Sequence, residues 1–401
     1  MLVTRIHHSG KTMTLDEIGF QYSKDNHYRW GWGTDDAQWF NEPDYTQPFK
    51  VTMGRCSRTP KSFREECILA TQHLCGQVDK HVYVGLSGGL DSQVVCLSLL
   101  EAKIPFTPCI ILMDGNYNMH DVINAKEFCE KYNLTYKIFK IDMLEFYSKY
   151  CPSIVDKYKI TNARTIMQLW LQQFVNDGLF IMGGGDVQLT RYQLGKESFD
   201  QIDDMVKTGL SGIVPQTKCI YEFSPTPILQ HLISNSMCGT TKYFMYSPEL
   251  IASVILSKEV ESFVKIEDVL FSQALVPRNK FWLLFNYVAK PQLYANNWPE
   301  LILRPKYHGF EYVERDREYI QLKKQATAEY SKMNSTKSIF MEYTELKEYF
   351  SSEGEQKIWY SNPLQKQDSS VSSYLKNLYL QENLKNEFLD DDEEDLLDRL
   401  F

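Results

Sequence analysis

Between residues 62 and 183 apolar positions alternate between two periods. Phe63, Cys67, Leu69, Ala70, Leu74 and Val78 recur at helical spacing and end just before the strand-like HVYVGL of residues 81–86. A second helix follows a glycine pair and carries Val94, Val95, Leu97, Leu99 and Leu100. Next come a strand, FTPCIILM (106–113), a helix over about 120–132, and a third strand, TYKIFKI (135–141). RTIMQLWLQQFVNDG (164–178) reads as an amphipathic helix, and LFIMGGGD (179–186) as a buried strand running into glycines. Strands alternating with helices at this spacing predict an α/β fold with a doubly wound parallel sheet covered on both faces.

Outside this region the pattern weakens. Residues 1–60 are mixed, with Trp30, Trp32 and Trp39 among polar residues, and predict a small appended layer. Residues 224–289 are apolar and read as helical, and the sheet domain spans 61–320. An extension over 321–401, expected to be helical, contains a linker-like stretch, QKQDSSVSS (365–373), and an acidic run, DDDEED (390–395). The acidic run reads as a solvated tail. Leu396, Leu397, Leu400 and Phe401 share one helical face, so the same tail also suits a groove on a partner protein.

Composition bounds the class. A chain of 401 residues buries enough surface to fold unaided, no apolar run is long enough to cross a bilayer, and no signal-peptide core follows Met1, so a cytoplasmic location without membrane contact is expected. The nine cysteines form no CxxC pair and read as buried free thiols. A net charge of -9 argues against a broad grip on nucleic acid while leaving a local basic groove open.

The chemistry sits in VYVGLSGGLDSQVV (82–95). A Walker loop would need a lysine after its last glycine and a dinucleotide fingerprint would need GxGxxG; neither is present. Leu86 leads from the strand into Ser87, Gly88, Gly89, Leu90, Asp91 and Ser92, and a helix follows. Glycines let backbone N–H groups approach an anion, the helix start adds donors, and Ser87 and Ser92 carry hydroxyls that suit phosphate oxygens. Asp91 makes sense if a Mg²⁺ lies between it and a diphosphate.

SGGLDS after a strand resembles the PP-loop of the ATP pyrophosphatases, and its spelling with Leu90 most resembles the synthetase domain of asparagine synthetase and its relatives. Three later stretches resemble that family in order. DVINAKEFCEKYNL (121–134) resembles the helix after the strand whose end touches adenine, which implies a backbone contact near Met113. NARTIMQLWLQQFVNDGLFIMGGGD (162–186) resembles the helix, strand and second signature; it implies nucleotide contacts at Gly183 and Gly184 and a second Mg²⁺ ligand at Asp186. It also aligns Arg164 with a family arginine, which could bind phosphate or the acid substrate or be only a helix-start charge. WPELILRPKYHGF (298–310) resembles the stretch in which a lysine meets the diphosphate, which implies that role for Lys306. YFMYSPELIASVI (243–255) fits the helical region between, so the resemblance spans about 62–320.

The implied activity is that of an AMP-forming carbon–nitrogen ligase using ATP and Mg²⁺: a substrate carboxylate is adenylated, pyrophosphate leaves, and ammonia or an amine captures the acyl group. Two departures bear on it. Position 2 is leucine, not the cysteine of the family's glutaminase domain, so nitrogen is expected from ammonia, a free amine or a partner. Gly184 stands where the family has a glutamate and Val187 where another acid would stand, which removes a group thought to handle protons during amide formation. Two other readings stay open: adenylation of a nucleobase oxygen, and a nucleotide-binding scaffold that acts through its acidic tail.

Overall fold

The structure is a computed structural model that describes residues 5–8, 11–14, 28–32, 47, 49–53, 55–76, 79–158, 163–175, 177–184, 189–193, 217–223, 239–240, 243–271, 285–303, 317–327, 339–342, 347–348, 350 and 357–360. Five strands form the central sheet: β1 (Val82–Gly85), β2 (Phe106–Met113), β3 (Lys137–Ile141), β4 (Leu179–Met182) and β5 (Gly239–Thr240). The helices that concern the site are α1 (Phe63–Gly76), α2 (Leu90–Glu101), α3 (Met119–Lys131), α4 (Cys151–Tyr158), α5 (Ala163–Gln172), α6 (Pro248–Ile255), α7 (Lys258–Phe271), α8 (Lys290–Asn297) and α9 (Arg317–Thr327).

All four strand pairings in this sheet are parallel, in the order β3-β2-β1-β4-β5, so the expected doubly wound α/β fold is present. From β1 the chain steps outward to β2 and β3, then crosses back to place β4 on the other side of β1. The two directions diverge at β1 and β4, and the crevice outside the carboxyl ends of such strands is where open α/β sheets bind ligands. Burial explains the run of apolar residues in β1, where all four are buried. Val82, Val84 and Leu86 face the core that includes α1 and α2, whereas Tyr83 packs with Phe180 of β4 and with Leu171 and Val175 at the end of α5.

Helix α1 begins with a capping box: Ser62 and Glu65 bond each other's backbone N–H through Oγ and Oε2, at 3.4 and 3.1 Å. Phe63, Cys67, Ala70 and Leu74 are buried as the spacing predicts, while Leu69 is only half-buried. Between α2 and α1 lies no polar face; Ser92 through Leu99 are all buried, because α2 is covered by the sheet on one side and by α1 and α8 on the other. Ser247 caps α6 by accepting the Leu250 N–H, with Pro248 in the first turn, where its missing N–H costs nothing.

Two of the described helical segments are wider than an α-helix. π-type turns occupy Phe146–Tyr150 and Phe285–Ala289, and each is followed two residues later by a proline, Pro152 or Pro291. Proline cannot donate to the helical ladder, so a widened turn is a physically sensible way to pass it.

Residues 224–289 are helical over much of their described length, but Gly239–Thr240 adds the fifth strand, which the apolar pattern does not reveal. Residues 1–60 contain short strands: Arg5–His8 pairs with Lys11–Thr14, and Phe49–Met53 pairs with both Tyr28–Trp32 and Lys357–Tyr360. Ile339–Glu342 likewise pairs with Thr217–Phe223. Strands from beyond residue 320 therefore complete sheets begun before it, so the extension expected to be helical also supplies edge strands, held by backbone pairing to earlier segments. Residues 365–373 and the acidic run and apolar tip at 390–401 lie outside the described residues. Among the described residues, no helix is long and apolar enough to cross a membrane.

The described cysteines fit the expectation of buried thiols; six of seven are buried and all seven are free. Burial pushes the thiols of Cys56, Cys75, Cys109 and Cys129 up to about 12, and those of Cys67 and Cys96 well above the usual value. A thiol that holds its proton more tightly in the folded state favours folding fully below the unfolded thiol pKa of about 8.5, and this contribution is lost as pH climbs through the folded value. Urea unfolding is therefore expected to give lower stability at pH 10 than at pH 8. Equal stability at the two pH values would show these thiols to be titrating normally.

Candidate functional site

The chain leaves β1 through Leu86, whose side chain is buried in the core and whose N–H donates to the Cys109 carbonyl at 2.9 Å. It then turns sharply. Gly88 has φ +80°, and a Cβ there would lie 2.6 Å from the Asp121 carbonyl oxygen in the first turn of α3. Only glycine satisfies both demands. On the other side, a Cβ on Gly183 would lie 2.8 Å from the Asp91 carbonyl, so the end of β4 packs directly on the first turn of α2. The Gly184 carbonyl accepts the Phe244 N–H at 3.2 Å. These two glycines thus have packing and backbone roles in this structure.

Helix α2 opens at this point. Its first intrahelical bond runs from the Gln93 N–H to the Gly89 carbonyl at 3.1 Å, which leaves the N–H groups of Leu90, Asp91 and Ser92 without a carbonyl partner in the helix. Gly89 at the cap position contributes no side-chain cap. The first-turn amides and the positive end of the helix dipole therefore stand at the switch point, an arrangement that suits an anion. The Ser87 side chain is beside them on the exposed turn. Ser92 differs from expectation: its hydroxyl donates to the Gly89 carbonyl at 2.8 Å and accepts the Ser87 N–H at 3.3 Å, so here it braces the loop.

Asp91 is not left to solvent. Lys290 Nζ lies 2.9 Å from its Oδ1 and 3.1 Å from its Oδ2, and the Tyr294 hydroxyl donates to Oδ1 at 2.8 Å. Lys290 and Tyr294 are one helical turn apart on α8 and so project from one face. Tyr294 is held by an aromatic cluster: its ring stacks on Phe63 with centroids 5.3 Å apart, and Phe63 meets Trp298 edge-on at 5.8 Å. The end of α8 is fixed in turn by Arg64, which donates to the Asn297 carbonyl at 2.6 Å, and by Trp298 Nε1, which donates to Glu101.

A second link joins the loop to the later chain. The fully buried Gln93 donates from Nε2 to the carbonyls of Gly88 at 3.0 Å and Ile302 at 3.1 Å, while its Oε1 accepts the Ile302 N–H at 2.9 Å. One side chain thus satisfies three buried backbone groups on two segments.

The structure brings together Leu86, Ser87, Gly88, Gly89, Asp91, Ser92, Gly183 and Gly184 at the switch point. Met113 ends β2 at the same edge, but its N–H donates to Asn118 Oδ1 at 2.9 Å, so that group is not available to a base in this conformation. Arg164 is exposed in the first turn of α5; since α5 runs back along the sheet into β4, this turn lies toward the carboxyl edge. Lys306 and Asp186 lie outside the described residues. Lys290, Tyr294 and Gln93 carry no motif, and only proximity in the fold reveals them.

The expected Mg²⁺ pairs Asp91 with Asp186, and of these two only Asp91 lies among the described residues. One carboxylate is present at the loop, both its oxygens are engaged by Lys290, and among the described residues no three His, Cys, Asp or Glu side chains converge on a point.

No protein-family model matches the chain, and no curated protein does. Solved structures to which it is similar include the NH3-dependent NAD synthetase from Campylobacter jejuni, at 16% identity over 60% of this chain and 97% of that one, with a TM-score of 0.25. NMN synthetase from Francisella tularensis is similar at 14% identity over 63% and 100% of the two chains, TM-score 0.25. A predicted subunit of tRNA methyltransferase from Methanocaldococcus jannaschii is similar at 17% identity over 39% and 74%, TM-score 0.21. At these identities and TM-scores the likenesses carry no argument about activity, which has to be argued from the chain's own residues.

Replacing Gln93 by leucine keeps the volume and orphans the Ile302 N–H and two carbonyls, so a loss of about 2–3 kcal/mol is expected. Chemical denaturation measures it, and hydrogen exchange at the Ile302 amide should speed up. An unchanged exchange rate there would show that Gln93 does not hold the segment.

Proposed function

We propose that the chain is an AMP-forming, ATP-dependent ligase that adenylates a substrate carboxylate, releases pyrophosphate and passes the acyl group to ammonia or an amine. The observation that carries this reading is the strand–SGGLDS–helix turn at the switch point, with the first-turn amides of α2 beside it. The narrower likeness to asparagine synthetase rests on the ordered later stretches of sequence and on no structural comparison.

In this mechanism the diphosphate of ATP lies on the loop and the first-turn amides of α2. The substrate carboxylate attacks the α-phosphorus, the bond to the β,γ-diphosphate breaks, and an acyl-adenylate forms. Attack by an amine on the acyl carbon then expels AMP, with loss of one proton from the amine. Water must be kept from the mixed anhydride for this capture to succeed. Lys306 is assigned to the departing diphosphate. Gln93 supports that assignment, because it fixes Ile302 against the loop and four residues of chain reach at most about 14 Å. Arg164 is assigned to the phosphate or the acid substrate on its place toward the same edge.

Incubation of the full chain with labelled ATP and a panel of acids, amines and nucleosides is expected to yield pyrophosphate and AMP with an acid–amine pair. Release only with nucleosides would move the reading to nucleobase adenylation, and no release with any acceptor would leave a binding module. Lys306→Ala is expected to lower kcat about a hundredfold with a much smaller change in ATP affinity, since charge grows on the diphosphate as it leaves. Equal losses in kcat and in affinity would remove Lys306 from the departure step.

A further inference from the structure

The loop contains a carboxylate where phosphate is expected and, across residues 82–95, no basic residue. Asp91 is the second residue of α2, so its side chain stands beside the amides that would hold a phosphate. Left alone, it would repel the ligand that the rest of the loop is shaped to attract. The structure brings in a cation from 199 residues away: Lys290 Nζ, in contact with both Asp91 oxygens.

We propose that Lys290 is the resident cation of this phosphate site, shared between Asp91 and a bound diphosphate, so that the loop grips a diphosphate without requiring a divalent ion. The inference rests on the proposed function and adds a phosphate-contacting residue to it. An ammonium group has three N–H donors around one centre and can bridge two anions. The Lys290 side chain is 10% exposed and that of Asp91 16%, so the pair lies below the surface without being wholly sealed from solvent. It is also held in place before any ligand arrives. Tyr294 fixes the carboxylate from the same helix face, its ring is stacked on Phe63, and Leu293 and Ala289 are buried on either side. A cation so fixed needs little rearrangement to meet a phosphate. A purely structural ion pair is the competing account; buried pairs contribute little net stability, and nothing in such a role requires the pair to stand at the amide turn.

The test is calorimetric titration of the full chain with inorganic pyrophosphate, in EDTA and in Mg²⁺. Wild type is expected to bind in EDTA within about tenfold of its affinity in Mg²⁺, a difference of about 1.4 kcal/mol. Lys290→Gln should weaken binding in EDTA by about thirtyfold, the scale of one charge-assisted hydrogen bond, and Lys290→Arg should recover most of it. Should Lys290→Gln fail to fold with Asp91 unpaired, the neutral double variant Asp91→Asn/Lys290→Gln takes its place and should still bind at least about tenfold more weakly than wild type in EDTA. Wild-type binding that vanishes in EDTA but is present in Mg²⁺ overturns this inference alone, as does undiminished binding by either glutamine variant. Absence of wild-type binding in both conditions overturns the proposed function with it.

Discussion

The chain must pass from β1 into α2 through four residues, Leu86 to Gly89, while wedged between the start of α3 and the end of β4. That constraint shapes everything around it. It demands a left-handed turn at Gly88 and leaves no room for a side chain there, because the α3 backbone is already in contact. It leaves no room for a side chain at Gly183 either, where the strand meets the α2 backbone. The two glycines let strand end, loop and helix start approach more closely than any other residues would permit, and the amides of α2 stand at the switch point as a consequence. The anion-binding character of the site thus follows from packing as well as from polar side chains.

Charge balance is the second constraint. A carboxylate in the first turn of α2 interacts favourably with the helix dipole by about 0.3–1 kcal/mol. A phosphate on the same turn would meet that carboxylate at short range; two like charges 5 Å apart at an effective dielectric of 20 repel by about 3 kcal/mol. The repulsion exceeds the dipole gain, so a loop with Asp91 cannot hold phosphate well unless a cation stands between them. Lys290 meets this need from within the chain, and the aromatic cluster around Phe63 holds it there. Packing far from the loop therefore determines the electrostatics at it.

The sheet was legible because its strands and helices are long enough for periodicity to emerge: the four buried residues of β1 and the spacing of Phe63, Cys67, Ala70 and Leu74 each carry their own signal. A two-residue element carries none: Gly239–Thr240 joins the sheet by backbone pairing, with no apolar run to announce it. The N-terminal strands, RIHH, KTMT, YRWGW and FKVTM, are mixed in polarity and lack the continuous apolar run that marks β1. In the site, the loop could be read because it is contiguous. Lys290, Tyr294 and Gln93 could not, since a lysine and a tyrosine four residues apart on a helix, or a glutamine inside one, look like solvated surface until the fold supplies their partners. The hydrogen bonds of the Met113 N–H to Asn118 and of the Ser92 hydroxyl to Gly89 follow from local folding that sequence does not encode in any simple spacing.

Under the proposed function, the groups that handle phosphate and those that handle the acceptor are set apart. The phosphate side is built from the loop, the α2 amides, and segments of the last third of the chain that Asp91 and Gln93 tie to it. The acceptor side lacks the glutamate expected at Gly184, whose carbonyl is instead bonded to the Phe244 N–H. A glycine cannot take a proton from an attacking amine. Even an amine that is neutral at working pH must shed one proton to become an amide nitrogen, and a protonated one must shed two, so a different side chain or the departing AMP has to accept it. Ammonia and alkylamines are protonated at neutral pH, whereas weakly basic nitrogens are not, so loss of a base favours the latter as acceptor. The substitution at Gly184 thus narrows the chemistry of the nucleophile without weakening the case for adenylation.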